Sequence, residues 1–247
     1  MKQPDNNSRD DIYASPQEML VDFAFDDKVA TVFPDMIRRS VPGYSEIIAL
    51  LGLFAEQYAT ANSNLYDLGC SLGAATLSLR RRVNQPGCTI IAVDNAESMI
   101  QRCRENIEHD LESTPVELQC ADIREVEIKN ASVVVLNFTL QFLPGEERLT
   151  LLRRIYEGLN PGGVLVLSEK LQFSDTGRQQ FEEAMHLAFK RANGYSELEI
   201  SQKRAALEEV LVPDTLEQHS ARLTEAGFRR VEPWFQAFNF ASIAAFK

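Results

Sequence analysis

Asp67, Gly69 and Gly73 have the types and the spacing of a turn that holds a ligand at the start of a helix. They close a short apolar strand over residues 65–68 and precede a helix with apolar residues at spacings of three and four. Gly69 lets the backbone bend and approach a ligand, and Gly73 lets the helix pack closely on its strand. The free N–H groups of the first helical turn then face the ligand. An ordinary strand-turn-helix connection would also contain two glycines, so the neighbouring residues must decide.

Asp94 is the second residue of this pattern. It lies 27 residues after Asp67 and ends the next apolar strand, over residues 89–93. A right-handed strand-helix-strand unit places Asp94 beside the glycine turn, where its carboxylate can accept both hydroxyls of a ribose. Ser71 occupies the position at which dinucleotide-binding turns carry a glycine for close approach of a pyrophosphate. The turn therefore favours a nucleoside cofactor without phosphates.

Two further strands end in polar residues. The strand over 116–120 leads to Asp122, and the strand over 132–136 leads to Asn137. Because the carboxyl ends of parallel strands form the ligand crevice of a doubly wound sheet, Asp122 and Asn137 are candidates to contact the base and the amino-acid part of the cofactor. A capping role is an equal alternative for each side chain.

Composition limits the classes of function. The 247 residues include 25 Lys and Arg against 36 Asp and Glu, a net charge of −11, which disfavours nucleic acid as a direct ligand. No apolar run approaches the roughly 20 residues of a membrane span, and the polar start lacks the apolar core of a signal peptide, so a cytoplasmic protein is expected. The spacings of the four Cys and three His residues favour reduced thiols and core or surface histidines over disulfides or a metal site: Cys70, Cys88, Cys103, Cys120, His109, His186 and His219.

The pattern of elements predicts one α/β domain with two additions. Residues 1–21 are polar and aperiodic and predict a flexible arm, and residues 22–247 form the single domain. Before the sheet come N-terminal helices within 26–58, and after a fifth strand over 164–168 comes a helical insert at about 171–212. Two apolar segments, 228–235 and 238–246, complete a sheet of seven strands.

Cationic residues outside the sheet leave two interpretations open. Residues 190–204 contain four cations, and they could form a lid over an anionic ligand or a solvated helix-turn-helix. Arg38, Arg39 and Tyr44 flank a Pro-Gly break and could close over an anion, although a solvated surface turn is the simpler interpretation.

These features together resemble the class I S-adenosylmethionine-dependent methyltransferases. The resemblance rests on Asp67-x-Gly-x-x-x-Gly73, Asp94, Ala121-Asp122 and Leu159-Asn-Pro-Gly-Gly163 and covers residues 60–170. Longer segments are similar to the carboxy-S-adenosyl-L-methionine synthase family from about residue 23 to 247. They are Val32-Phe-Pro-Asp-Met36, Arg39-Ser-Val-Pro-Gly-Tyr44, Asp67-Leu-Gly-Cys-Ser-Leu-Gly-Ala-Ala-Thr76, Leu136-Asn-Phe-Thr-Leu-Gln141 and Phe189-Lys-Arg-Ala-Asn-Gly-Tyr-Ser-Glu-Leu-Glu-Ile-Ser-Gln-Lys-Arg204.

The resemblance implies a doubly wound, Rossmann-like, mostly parallel seven-stranded sheet and an unusual reaction. Such enzymes transfer the carboxyl group of prephenate to the methyl carbon of S-adenosylmethionine, and the product serves wobble-uridine modification of tRNA by a separate enzyme. The residues implied to hold S-adenosylmethionine or its carboxylated form are Tyr44, Gly69, Cys70, Ser71, Asp94, Asn95, Asp122, Ile123, Asn137 and Arg204.

Arg204 is implied to be the catalytic residue, holding the new carboxylate, and a homodimer is implied in which Arg204 could serve its own or a neighbouring subunit's site. A metal ion is not expected. The alternative function is conventional methyl transfer to a small molecule. Against base methylation, Asn137-Phe-Thr replaces an Asn/Asp-Pro-Pro-aromatic sequence.

Overall fold

The computed structural model describes residues 9–15, 25–207 and 210–247. Their seven strands form one sheet in the order β3-β2-β1-β4-β5-β7-β6. The strands are β1 Asn64–Leu68, β2 Thr89–Asp94, β3 Val116–Cys120, β4 Ala131–Asn137, β5 Leu159–Lys170, β6 Arg230–Ala237 and β7 Phe240–Phe246. Pairs among β1 to β5 are parallel and both pairs of β7 are antiparallel, which confirms the predicted mostly parallel, doubly wound sheet.

Helices cover both faces of the sheet. They are α1 Asp27–Ser40, α2 Tyr44–Tyr58, α3 Ala74–Arg82, α4 Glu97–Glu108, α5 Gly145–Gly158, α6 Thr176–Ala192, α7 Glu197–Leu207 and α8 Leu216–Ala226, with a 3₁₀ turn at Leu140–Phe142. Leu51 and Leu79 pack against one face, while Leu152 and Leu223 pack against the other. Residues 131–136 of β4 are all buried, as expected for a strand covered on both sides.

The strand order reverses between β1 and β4, and this reversal positions the site. From β1 the chain proceeds outward to β2 and β3, and it then returns to the other side of β1 as β4. At such a point the connections leave the sheet in opposite directions, which opens a crevice at the carboxyl ends of the strands. The side chains that end β1, β2 and β4 therefore share one crevice.

Strand β5 is longer than predicted. Its first residue, Leu159, pairs with Ala131, so the Asn-Pro-Gly-Gly segment that precedes the predicted strand lies inside β5, at an irregularity in register. Its last residues pair with β7 as far as Lys170, opposite Phe240. The strand is extended because β7 continues alongside it, a long-range pairing that the local pattern does not encode. This extension carries Lys170 toward the crevice.

Residues 9–15, part of the predicted flexible arm, contact the helical insert. Asp10 is 1% exposed, and its carboxylate accepts hydrogen bonds from Tyr195 and Lys203. Its backbone carbonyl accepts a hydrogen bond from Arg39. These contacts were not anticipated from composition, and the rest of the predicted arm, like positions 208–209 of the predicted insert, lies outside the described residues.

Candidate functional site

The glycine turn has the geometry that its sequence predicts. Gly69 has φ +86°, and a Cβ added there would overlap the side chain of Thr139. Gly73 caps α3 with φ +84°, and its Cβ would lie 2.6 Å from the Sγ of Cys103. Because both glycines combine a left-handed backbone with a crowded neighbour, another residue would be strained at either position.

Asp94 connects the end of β2 to this turn. Its Oδ2 accepts the N–H of Ser71 at 2.9 Å, and its Oδ1 accepts the N–H of Ala96 at 3.0 Å. Ser71 has φ +49°, a conformation that the bond to Asp94 supports. Each carboxylate oxygen retains a second lone pair, so Asp94 can still accept the two hydroxyls of a ribose. Burial raises the pKa of Asp94 above its usual value.

Asp67 and Asn137 present unpaired oxygens at the ends of β1 and β4. Asp67 is fully buried, and its Oδ2 accepts the hydroxyl of Thr76 at 2.6 Å. Within the described residues, Asp67 Oδ1 and Asn137 Oδ1 are buried without a hydrogen-bond partner. Burial raises the pKa of Asp67 to about 6. Buried acceptors normally have partners, so these two atoms suit a ligand that brings hydrogen-bond donors.

One cavity of about 700 Å³ joins these residues, a volume typical of small-molecule sites. Nine of the ten predicted cofactor residues line it: Tyr44, Gly69, Cys70, Ser71, Asp94, Asn95, Asp122, Ile123 and Asn137. The tenth, Arg204, is exposed on α7 and does not line the cavity of this chain.

The β3 side of the cavity combines an apolar and a charged residue. Ile123 is 6% exposed and lines the wall. Asp122 forms an ion pair with Arg124, whose hydrogen bonds lower the pKa of the Asp122 carboxyl. Arg124 also bonds Glu147 on α5. The Asp122 carboxylate is therefore ionised and fixed in orientation at the cavity wall.

Helices α1 and α2 close the cavity from the other side. Tyr44 begins α2 with its ring 6.3 Å from that of Phe138, and burial together with nearby Asp67 raises the pKa of its hydroxyl. Arg38 also lines the cavity, whereas Arg39 does not and bonds Asp35 at 3.0 Å. Of the two interpretations of this bend, Arg38 and Tyr44 fit a ligand wall and Arg39 fits a structural role.

The sequence indicates only part of the cationic side of the cavity. Lys170 at the end of β5, His186 and Lys190 on α6, and Lys203 on α7 all line it. The charge run at 190–204 indicates Lys190 and Lys203, whereas the spacing of His186 favours a core or surface role and no local pattern marks Lys170. The His186 Nε2 lies 2.8 Å from the carbonyl of Ser40, and burial lowers its pKa to about 3, so the ring is neutral near pH 7.

The cavity thus offers oxygen acceptors at the glycine turn and cations beside the helical insert. Among the described residues, no group of three His, Cys, Asp or Glu side chains could hold a metal ion. No helix of the described ranges is long and apolar enough to cross a bilayer. The arrangement suits a cofactor that carries hydroxyl and ammonium donors together with an anionic second ligand.

Comparison with known proteins first supports the class of protein, a methyltransferase. The family described as "Methyltransferase domain" matches residues 65–163. A putative O-methyltransferase from Nostoc punctiforme has a TM-score of 0.64 at 16% identity, over 90% of this chain and 60% of that one. Human N-acetylserotonin methyltransferase in complex with S-adenosylmethionine has a TM-score of 0.58 at 17% identity, over 90% and 55% of the two chains. The fold is that of a class I methyltransferase.

Full-length relatives define the family. Carboxy-S-adenosyl-L-methionine synthase from Shewanella sediminis is 63% identical over 242 residues, covering 98% of this chain and all of that protein. The synthase of the same name from Shewanella piezotolerans is 61% identical over 241 residues, covering 98% and 99%. The chain belongs to the carboxy-S-adenosyl-L-methionine synthase family.

Proposed function

We propose that this protein transfers the carboxyl group of prephenate to the methyl carbon of S-adenosylmethionine, giving carboxy-S-adenosylmethionine and phenylpyruvate. The observation that carries the proposal is the 63% identity over the whole length of a relative named for that product. The product would supply a separate enzyme that modifies wobble uridine in tRNA. A direct contact with tRNA is not part of the proposal, in keeping with the charge of −11.

The residues at the glycine turn fit S-adenosylmethionine. Its ammonium group would satisfy the unpaired oxygens of Asp67 and Asn137, and its ribose hydroxyls would bond the remaining lone pairs of Asp94. Ile123 offers an apolar surface for the adenine. When bound, this cofactor supplies a methyl group attached to a positively charged sulfur, which is its contribution to the chemistry.

The carboxyl transfer balances without an added base. Prephenate aromatises with loss of carbon dioxide and its ring hydroxyl, and the departing hydroxide takes one proton from the sulfonium methyl. The resulting carbanion, stabilised by the adjacent sulfur, forms a bond to the carbon of carbon dioxide, and the net products are phenylpyruvate, water and the carboxylated cofactor. The neutral His186, with a pKa of about 3, is a poor proton acceptor for this step.

Arg204 would hold the new carboxylate, because a guanidinium binds a carboxylate through two parallel hydrogen bonds. Its exposed position on α7 supports a homodimer in which it reaches the cavity of the neighbouring subunit. The protein would then require two copies for a complete site.

Conventional methyl transfer to a small molecule is the competing function, since the fold alone permits it. The decisive experiment incubates the purified protein with S-adenosylmethionine and prephenate and weighs the cofactor by mass spectrometry. A cofactor heavier by one carbon dioxide, formed together with phenylpyruvate, supports the proposal. Formation of S-adenosylhomocysteine with a methylated acceptor, and no carboxylated product, would refute it.

A further inference from the structure

Three lysines from three elements line the cavity near His186, and the charge of each lowers the pKa of that histidine. Lys170 ends β5, Lys190 lies in the last turn of α6, and Lys203 lies on α7. We refer to these residues as the lysine cluster. The position of Lys170 is fixed by its backbone, since its N–H donates to the Gln141 side chain at 3.0 Å.

The members of the lysine cluster differ in their partners. The Nζ of Lys203 lies 3.2 Å from the Asp10 carboxylate, 3.0 Å from the Ser40 hydroxyl and 3.3 Å from the Tyr195 hydroxyl. In contrast, across residues 9–15, 25–207 and 210–247, no hydrogen bond or ion pair is formed by the Nζ of Lys170 or Lys190. Two of the three ammonium groups are therefore available to a ligand.

Free lysines at these positions are costly for the ligand-free protein. Burial lowers the pKa of both Lys170 and Lys190. The charges of Lys203, Lys170 and Arg204 lower the pKa of Lys190 further, and the charge of Arg204 does the same at Lys170. Glu183 opposes this effect at Lys170 without reaching ion-pair distance. An uncharged chain such as Met would fill the same space without the penalty of a buried charge. An anionic ligand between the two ammonium groups would supply the missing counter-charge.

We propose that Lys170 and Lys190 bind the carboxylate that prephenate retains after the transfer. The proposal rests on the proposed function and adds the site for its second substrate. Prephenate carries two carboxylates, of which one leaves as neutral carbon dioxide and the other remains on phenylpyruvate. Strong pairing of lysines with the departing carboxylate would stabilise the substrate and oppose its loss. The cationic pair therefore binds the carboxylate whose charge does not change.

The test measures steady-state kinetics of Lys170→Met and Lys190→Met. The KM for prephenate and the inhibition constant of phenylpyruvate should both rise about tenfold or more, since each variant loses a charged hydrogen bond to the shared carboxylate. The affinity for S-adenosylmethionine should stay within about twofold, and Lys190→Arg should retain most prephenate affinity. The control is Lys129→Met, which removes an exposed lysine paired with Glu127 just before β4, at the amino ends of the strands and so opposite the cavity.

Two results would overturn the inference while leaving the function intact. One is unchanged KM for prephenate in both variants of an enzyme that makes the carboxylated product. The other is a raised KM for prephenate with unchanged inhibition by phenylpyruvate, which would assign the lysines to the departing carboxylate. Absence of carboxylated product from the unaltered protein would instead refute the function itself.

A measurement on the unaltered protein tests the inference even if the variants fail to fold. Phenylpyruvate should inhibit the enzyme at least about tenfold more strongly than its methyl ester, because the ester lacks the negative charge that the lysines bind. Equal inhibition by the acid and the ester would show that the carboxylate is not recognised.

Discussion

The Asp94 carboxylate accepts the backbone N–H of Ser71 at 2.9 Å, joining the end of β2 to the glycine turn. One side chain therefore fixes the turn and lines the cavity. The other carboxylate oxygen accepts the N–H of Ala96 at the start of α4. A substitution at Asp94 therefore changes the support of the turn and of α4 as well as the cavity wall.

Asp94→Asn should weaken S-adenosylmethionine binding by about tenfold to a hundredfold, because the amide removes the negative charge and presents an N–H₂ group to one of its donors. Isothermal titration calorimetry measures the effect. The matched control is Asp175→Asn, since Asp175 accepts the N–H of Arg178 at 2.7 Å at the exposed start of α6. Asn caps helices as well as Asp, so the control should keep its affinity. Equal affinity of both variants would contradict a ribose-binding role for Asp94.

Gly69→Ala should destabilise the protein more than Gly162→Ala. Both glycines have positive φ, +86° and +80°, but a Cβ at Gly69 would overlap Thr139, whereas a Cβ at Gly162 has nothing within 4 Å. The Gly162 variant measures backbone strain alone, about 1 kcal/mol. Gly69→Ala should lose about 1–3 kcal/mol more through overpacking. Urea unfolding gives both values, and equal losses would show that the Thr139 contact relaxes without cost.

Arg204→Ala should fold and bind S-adenosylmethionine normally, because Arg204 is exposed and does not line this chain's own cavity. It should form little carboxylated product, because the new carboxylate loses its proposed partner. Mixing Arg204→Ala with Asp94→Asn decides which subunit uses the arginine. If Arg204 acts across a dimer, mixed dimers regain one complete site and part of the activity. Activity no greater than that of the separate variants would place Arg204 in its own subunit's reaction, provided that subunit exchange is verified by mass.

Lys190→Met should raise the melting temperature of the ligand-free protein, and more so at low pH. Burial and the charges of Lys203 and Lys170 lower the pKa of Lys190 from its ordinary 10.5 to about 7. The folded protein therefore carries the full penalty of the charge below about pH 7, and the penalty declines as pH rises from 7 toward 10.5. Calorimetry at pH 6 and pH 9 should show the larger gain at pH 6. An equal gain at both values would exclude a charge effect.

Asp10→Asn should destabilise the protein by about 2–4 kcal/mol, since it leaves the buried Lys203 ammonium without its counter-charge. The side chains of Lys203 and Asp10 are 5% and 2% exposed. The double variant Asp10→Asn/Lys203→Met should lose much less than the sum of the single losses. Asp11→Asn, an exposed neighbour, is the control for denaturant unfolding. Strict additivity would show that the pair contributes nothing through its charges.

Local pattern was sufficient for the number and order of the strands along the chain and for the glycine turn, but not for the full length of β5. A left-handed turn and a strand end are each determined by a few adjacent residues, so the sequence alone predicts the roles of Gly69, Gly73 and Asp94. The cationic part of the cavity is different. Lys170 reaches it because β7 extends β5, and Lys203 is paired with a residue 193 positions earlier in the chain. Contacts of this range depend on the assembled fold and leave no periodic signal.

The pairing of Asp10 with Lys203 also sets a limit on how the chain can be shortened. A variant that starts at residue 22, where the predicted domain begins, would lack Asp10 and add a third uncompensated ammonium to the cavity. Its helical insert would lose the contacts that Asp10 makes with Tyr195 and Lys203. The net charge at the cavity would become more positive, although no residue that lines the cavity has changed. The residues that stabilise the domain thus extend at least to Asp10, although the composition of the sequence places the start of the domain at residue 22.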